Sequence, residues 1–246
     1  MAIYGLIPCG GKGTRLGLPF PKEMLPLKGY TQYKPLIDHT VEKMLSAGAE
    51  EIFFIHGTQI KQEIVDYYTH SCGIHVKQKT PGFAQVLLDF VECMTDSLKD
   101  DDQILFGLPD SVYEGNPFIE MLKQKGIVCG LFITDNPETR VDRLSIDAMG
   151  FQIKSPKRAD NQNWFWGVLK FDGLQLKNIA EILRPDEYSW QATKITPYTE
   201  IGAILNRLPH TLIKNGSYTD LGTWIDYNKY LSSDNDMGVY NDPDLC

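Results

Sequence analysis

Residues able to do chemistry gather in four short stretches. The first is Cys9-Gly10-Gly11-Lys12-Gly13-Thr14-Arg15-Leu16, which runs on to Pro21-Lys22-Glu23-Met24-Leu25-Pro26. Glycines let a backbone turn sharply and bring its N–H groups close to an anion. Lys12, Arg15 and Lys22 add positive charge to that turn in a chain whose net charge is −8. Together these residues suit a phosphate-bearing ligand. The second stretch is Phe106-Gly107-Leu108-Pro109-Asp110, an acid directly after an apolar run. A carboxylate at the C-terminal end of a strand in an open α/β sheet lies where ligands bind. The third is Gln78-Lys79-Thr80-Pro81-Gly82, whose amide both donates and accepts hydrogen bonds. The fourth is Tyr218-Thr219-Asp220-Leu221-Gly222-Thr223-Trp224, where Thr223 reads as a helix cap.

Two familiar phosphate motifs do not fit the first stretch. A P-loop needs Gly-Lys-Ser/Thr opening a helix, and Lys12 is followed by Gly13. The dinucleotide fingerprint needs a further glycine three residues after Gly13, where Leu16 stands.

The elements that must carry these residues alternate. Residues 3–7 read as a buried strand that feeds the glycine turn. Residues 35–47 have apolar side chains at helical spacing and Gly48 as a stop. Residues 52–55, 74–77 and 104–108 read as further buried strands. Between them fall a helix carrying Ile60, Ile64 and Tyr67, and a second starting at Gly82 with Phe83, Val86, Leu87, Phe90, Val91 and Met94 on one face. This order predicts an α/β fold, a mostly parallel Rossmann-like open sheet with helices on both faces.

The second half is less regular. Helices are expected over 116–124, 174–183 and 198–208, and strands over 128–133, 164–171 and 211–214. A hairpin is expected over 144–153, turning at Met149-Gly150. The expected organisation is one domain over 1–231, with a first half over about 1–115 that carries the glycine turn and a second half over 116–231. An acidic tail over 232–246 follows.

Composition narrows the partners. The chain has 246 residues, 42% hydrophobic and 23% charged, which is ordinary for a globular protein. With 24 basic against 32 acidic side chains and no basic stripe, polymeric nucleic acid is not an expected partner. Five scattered cysteines without a Cys-x-x-Cys pair suggest neither a disulfide framework nor a zinc site. No secretory signal or membrane-length apolar run is visible, so the expectation is a cytoplasmic protein; a homo-oligomer is compatible with it.

The first motif resembles the signature of nucleotidyltransferases that make NDP-sugars: Gly-Gly-x-Gly-Thr-Arg-Leu, a short spacer, then Pro-Lys. The Pro21 to Pro26 continuation is most similar to the glucose-1-phosphate thymidylyltransferase and UDP-glucose pyrophosphorylase branch. The resemblance implies transfer of a nucleoside monophosphate from a pyrimidine NTP (dTTP, UTP or CTP) to a sugar 1-phosphate, with release of pyrophosphate. Arg15 would face the β- and γ-phosphates and Lys22 the α-phosphate, catalytic roles that suit a guanidinium fork and a point charge. Gly10, Gly11, Gly13 and Thr14 would line the nucleotide, with Gln78 and Gly82 reading the base. Asp110 and Asp220 match the family's metal carboxylates, and two hard oxygen ligands suit Mg²⁺.

The acceptor side departs from the pattern. Lys154-Ser155-Pro156-Lys157 stands where glucose-type members carry Glu-Lys-Pro, and Asp142 stands where they carry a glycine. Gly167 and Glu200 resemble their counterparts. Lys154 and Asp142 suit an acceptor with its own charged or amide group, its phosphate held by Lys157 or Arg158. The alternative keeps glucose 1-phosphate, with Lys157 making the usual phosphate contact. Two other readings stay open. One is a CTP-dependent cytidylyltransferase acting on a non-glucose phosphorylated molecule for surface polysaccharide. The other is a catalytically silent nucleotide-sugar-binding regulator. Retention of Arg15, Lys22, Asp110 and Asp220 favours an enzyme.

Overall fold

The first strand, β1 (Ile3–Cys9), lies between β2 (Glu51–His56) and β4 (Gln103–Gly107), parallel to both. β3 (Gly73–Lys77) extends the parallel set beyond β2. The computed structural model describes residues 1–11, 16–69, 73–80, 82–133, 143–147, 150–154, 164–183 and 208–233.

Side chains alternate across this sheet with the period of two that a pleated strand imposes. Phe53 and Ile55 of β2 join one apolar core, and Ile52 and Phe54 join the other. The first core is covered by α3 (Phe83–Cys93) and α5 (Gly173–Leu183). The second is covered by α1 (Asp38–Ser46), α2 (Gln62–Tyr67) and α4 (Pro117–Leu122). Asn116 caps α4 by accepting the Phe118 N–H at 3.1 Å, as its position before Pro117 suggests. The expected open α/β sheet with helices on both faces is therefore present.

Beyond β4 the sheet is mixed. Its order continues β4-β9-β6-β10-β5, with β5 (Ser111–Tyr113), β6 (Ile127–Ile133), β9 (Trp164–Asp172) and β10 (His210–Asp220). β9 runs antiparallel to both β4 and β6. Buried strands read as apolar runs whatever their direction, so the sequence pattern carries no sign of this reversal. The expected hairpin is formed by β7 (Arg143–Asp147) and β8 (Gly150–Lys154).

β10 is longer than residues 211–214. Its register against β6 shifts between Lys214 and Ser217, Ser217 still pairs with Ile133, and Tyr218, Thr219 and Asp220 pair with β5. The Asn215-Gly216 pair, which resembles a turn, is absorbed as a bulge. A third apolar cluster holds Leu16, Leu25, Leu27, Leu36, Val112, Leu221 and Tyr227. It fastens the segment after the glycine turn to β5 and to α6 (Trp224–Ser232), whose Thr223 cap accepts the Asp226 N–H. The expected helix over 198–208 and the acidic tail lie almost wholly outside the described residues.

Candidate functional site

The ends of β1, β4 and β10 meet at one point. Lys22 sits in a single 3-10 turn (Lys22–Met24), and its ammonium donates to the Asp110 carboxylate. Their side chains are only 13% and 14% exposed. Burial works against charge on Lys22, but Asp110, with Glu23 and Asp220 adding, more than offsets it; the ammonium is held above the usual lysine value. Asp220 is brought in by the backbone: Leu221 N donates to Asp110 O at 2.9 Å, and Asp220 pairs with Ser111 across β10 and β5. The Gly222 N–H fixes one Asp220 carboxylate oxygen at 2.8 Å.

The glycine turn adjoins this cluster. A Cβ built on Gly11 would lie 3.9 Å from Lys22 Cε. Gly10 threads a narrower gap, where a Cβ would stand 2.7 Å from Gln78 Oε1 and 3.4 Å from Gly57 Cα. Gln78 is 4% exposed and donates from Nε2 to Gly82 O at 2.8 Å. Gly82 has φ +142°, a conformation that strains any side chain, and a Cβ there would meet nothing within 4 Å. Thus Gly10, Gly11, Gln78 and Gly82 line one flank of the Lys22–Asp110–Asp220 cluster, in the grouping expected from the sequence.

Other expected site residues are placed differently. A Cβ on Gly167 would fall 2.6 Å from the Tyr218 ring and 2.8 Å from the Phe132 ring, so its missing side chain makes room for core packing. Lys154 closes β8, paired in register with Arg143. Gly13, Thr14, Arg15, Asp142, Lys157, Arg158 and Glu200 lie outside the described residues.

Three features escaped the sequence reading. Gly57, at the end of β2, packs on Gly10; a glycine after a buried strand was the available signal. Ser111 and Tyr218 share a buried hydrogen bond beneath the two aspartates. Lys61 pairs with Glu23, which is 1% exposed, at 2.7 Å. Nothing in the spacing marked either pair.

Among the described residues no group of three or more His, Cys, Asp or Glu side chains is placed to hold a metal ion. The donor set is two converging hard carboxylates, which suits a cation that keeps waters and substrate phosphates as its other ligands.

Comparison with known proteins bears on the family and the fold. The nucleotidyl transferase family model matches residues 4–127. A protein of Methanocaldococcus jannaschii, provisionally named UTP–glucose-1-phosphate uridylyltransferase, is 34% identical over 91 residues. That stretch covers 35% of this chain and 30% of that relative, so the match spans less than a third of the relative's length. Two solved structures share the fold. One, named provisionally as a glucose-1-phosphate thymidylyltransferase of Bacillus anthracis in complex with sucrose, has a TM-score of 0.73 at 22% identity, covering 94% of each chain. The other, a UDP-glucose pyrophosphorylase complexed with UDP-glucose, has a TM-score of 0.64 at 19% identity, covering 94% of this chain and 97% of its own. The matched span runs from β1 through the glycine turn, Lys22, Gln78 and Asp110 to the start of β6, and on that ground the chain belongs to the nucleotidyl transferase family.

Proposed function

We propose that this chain transfers a nucleoside monophosphate from a pyrimidine NTP to a sugar 1-phosphate and releases pyrophosphate. One observation carries the reading: Lys22, Asp110 and Asp220 converge beside Gly10, Gln78 and Gly82. A cation, two carboxylates and a base-sized amide flank are what such a transfer needs, since its catalysis is positioning and charge neutralisation.

The Lys22 ammonium is paired with Asp110. On substrate binding the Lys22 ammonium exchanges that partner for the α-phosphate, where negative charge builds up. Asp110 and Asp220 would hold Mg²⁺, which when bound would supply charge neutralisation for the phosphates. Gln78 orients the base, its amide fixed by Gly82. Arg15 serves the leaving pyrophosphate, as the motif implies.

A grid of NTPs against phosphorylated acceptors, read by pyrophosphate release, tests the proposal. Turnover is expected with at least one pyrimidine NTP and a sugar 1-phosphate. Nucleotide binding without pyrophosphate release across the grid would favour a silent regulator instead.

A further inference from the structure

Lys61 closes the loop between β2 and α2. Its backbone N–H donates to His56 Nδ1 at 3.2 Å, and its ammonium donates to Glu23 Oε1 at 2.7 Å. The same loop begins at Gly57, where a Cβ would lie 2.9 Å from Gly10 O. One five-residue loop therefore touches both the glycine turn and the segment that carries Lys22.

The Glu23–Lys61 pair is costly where it stands. Glu23 is almost wholly buried, and its second oxygen has no hydrogen-bond partner among the described residues. Desolvation of a buried ion pair offsets much of its attraction, so such a pair is weak evidence for stability. Its geometric effect is clearer. Lys22 and Glu23 are neighbours in one short 3-10 turn that has no side-chain cap. Successive side chains of such a turn leave it about 120° apart, so fixing the Glu23 carboxylate fixes the direction in which Lys22 leaves. Ile37 N donates to Glu23 O at 3.0 Å, Leu36 N to Leu25 O at 2.7 Å and Tyr33 Oη to Met24 O at 2.6 Å, which hold the backbone of the turn; the Glu23 side chain ties it to the loop between β2 and α2.

We infer that Lys61 is a positioning residue: through Glu23 it aims the Lys22 ammonium at the reacting phosphate. The inference rests on the proposed transfer for what Lys22 does, and on geometry alone for how Lys22 is held.

The test uses Lys61→Met and Lys61→Arg, each in wild-type and Lys22→Ala backgrounds, with two readouts. For pyrophosphate release, Lys61→Met is expected to lower kcat roughly 10- to 100-fold, the scale of an ångström-sized misplacement. The acceptor KM should stay within about twofold, and Lys61→Arg should retain most of the rate. In the Lys22→Ala background Lys61→Met should cost nothing further, since its target is gone. For amide hydrogen exchange, Lys61→Met should speed exchange at Met24 and Leu25, whose N–H groups close the turn. Because Lys61→Met leaves Glu23 buried without its cation, Lys61→Met/Glu23→Gln is run beside it and should show the same loss with a normal fold. Multiplicative losses with Lys22→Ala, or unchanged exchange at Met24 and Leu25, would overturn the inference. If the wild-type chain releases no pyrophosphate with any substrate pair, the functional proposal fails, and the exchange measurement still decides whether Lys61 holds the turn.

Discussion

The Lys22 ammonium and the Asp110 carboxylate form a largely buried ion pair between residues 88 positions apart. Each therefore helps to hold the other in place. Lys22→Ala is expected to lower kcat by about 10²-fold or more, with a smaller effect on NTP affinity, as for a charge used mainly in the transition state. Steady-state kinetics with a saturating acceptor check this; wild-type kcat in the variant would remove Lys22 from the chemistry.

Metal binding should follow the same competition. Asp110→Asn or Asp220→Asn is expected to reduce turnover by about 10²-fold or more with an intact fold, and exhaustive EDTA treatment should abolish activity. Lys22→Met frees Asp110, so it should bind Mn²⁺ more tightly than wild type while turning over less. Mn²⁺ titration followed by electron paramagnetic resonance measures the first effect. Weaker Mn²⁺ binding in Lys22→Met would mean that the lysine does not compete with the ion.

A base preference is expected from Gln78, whose amide lies beside Gly10. Pyrimidine NTPs are expected to outperform ATP and GTP, and Gln78→Ala should raise the NTP KM and narrow the preference by about tenfold. Equal wild-type turnover with a purine NTP would contradict this assignment.

The acceptor is expected to carry a charged or amide group besides its phosphate, because Lys154 donates where a carboxylate would accept. Glucose 1-phosphate is the control. If its kcat/KM reaches about 10⁴ M⁻¹s⁻¹ or more, a value typical of a true substrate, the altered-acceptor reading should be dropped.

Stability should fall on acidification. Burial lowers the His39 imidazole from 6.5 to about 3 and, with help from His75 and Lys61, lowers His56 to about 4. The unfolded chain then binds more protons than the folded one between pH 6.5 and about 4. The contribution is whole above pH 6.5 and is lost as pH falls. Asp38 opposes this. Burial raises its carboxyl to about 6 despite hydrogen bonds from Tyr68 and Tyr67, so its contribution is lost as pH rises through 6. Burial also lowers His75 and raises Asp89, so three imidazoles act against two carboxyls and a net loss of stability is expected from pH 6.5 to 5. Thermal midpoints at those two pH values check it, and His39→Gln should shrink the difference.

Much of the first half was legible because its signals are local. Apolar runs alternate with amphipathic stretches, and the chemistry follows strand ends directly, as Gly10 follows Cys9 and Asp110 follows β4. The convergence of Asp110 with Asp220 came only from the resemblance, since no spacing links positions so far apart. The second half was less legible for a physical reason. A buried strand such as β9 is apolar on both faces whichever way it runs. Asn215-Gly216 has turn chemistry, but continuous pairing on either side absorbs it. Gly167 shows a different limit: a glycine marks a close approach without saying whether a ligand or, as here, the Tyr218 ring approaches. Lys61 illustrates a third, because a cation whose partner lies in another element has no signature in its own neighbourhood.

The bulge in β10 makes the distance from His210 to Asp220 a matter of counting. Side chains alternate faces along the strand, so Asp220 and Tyr218 share a face with their partners Ser111 and Tyr113, while Thr219 and Val112 take the other. Upstream, the strand is locked to β6. Gaining one residue between those anchors would turn Asp220 away from Lys22 and put Thr219 in its place, and losing one would put Leu221 there. Exchanging one side chain for another there leaves the face unchanged. Variation along this stretch should therefore take the form of substitution, with its length held constant.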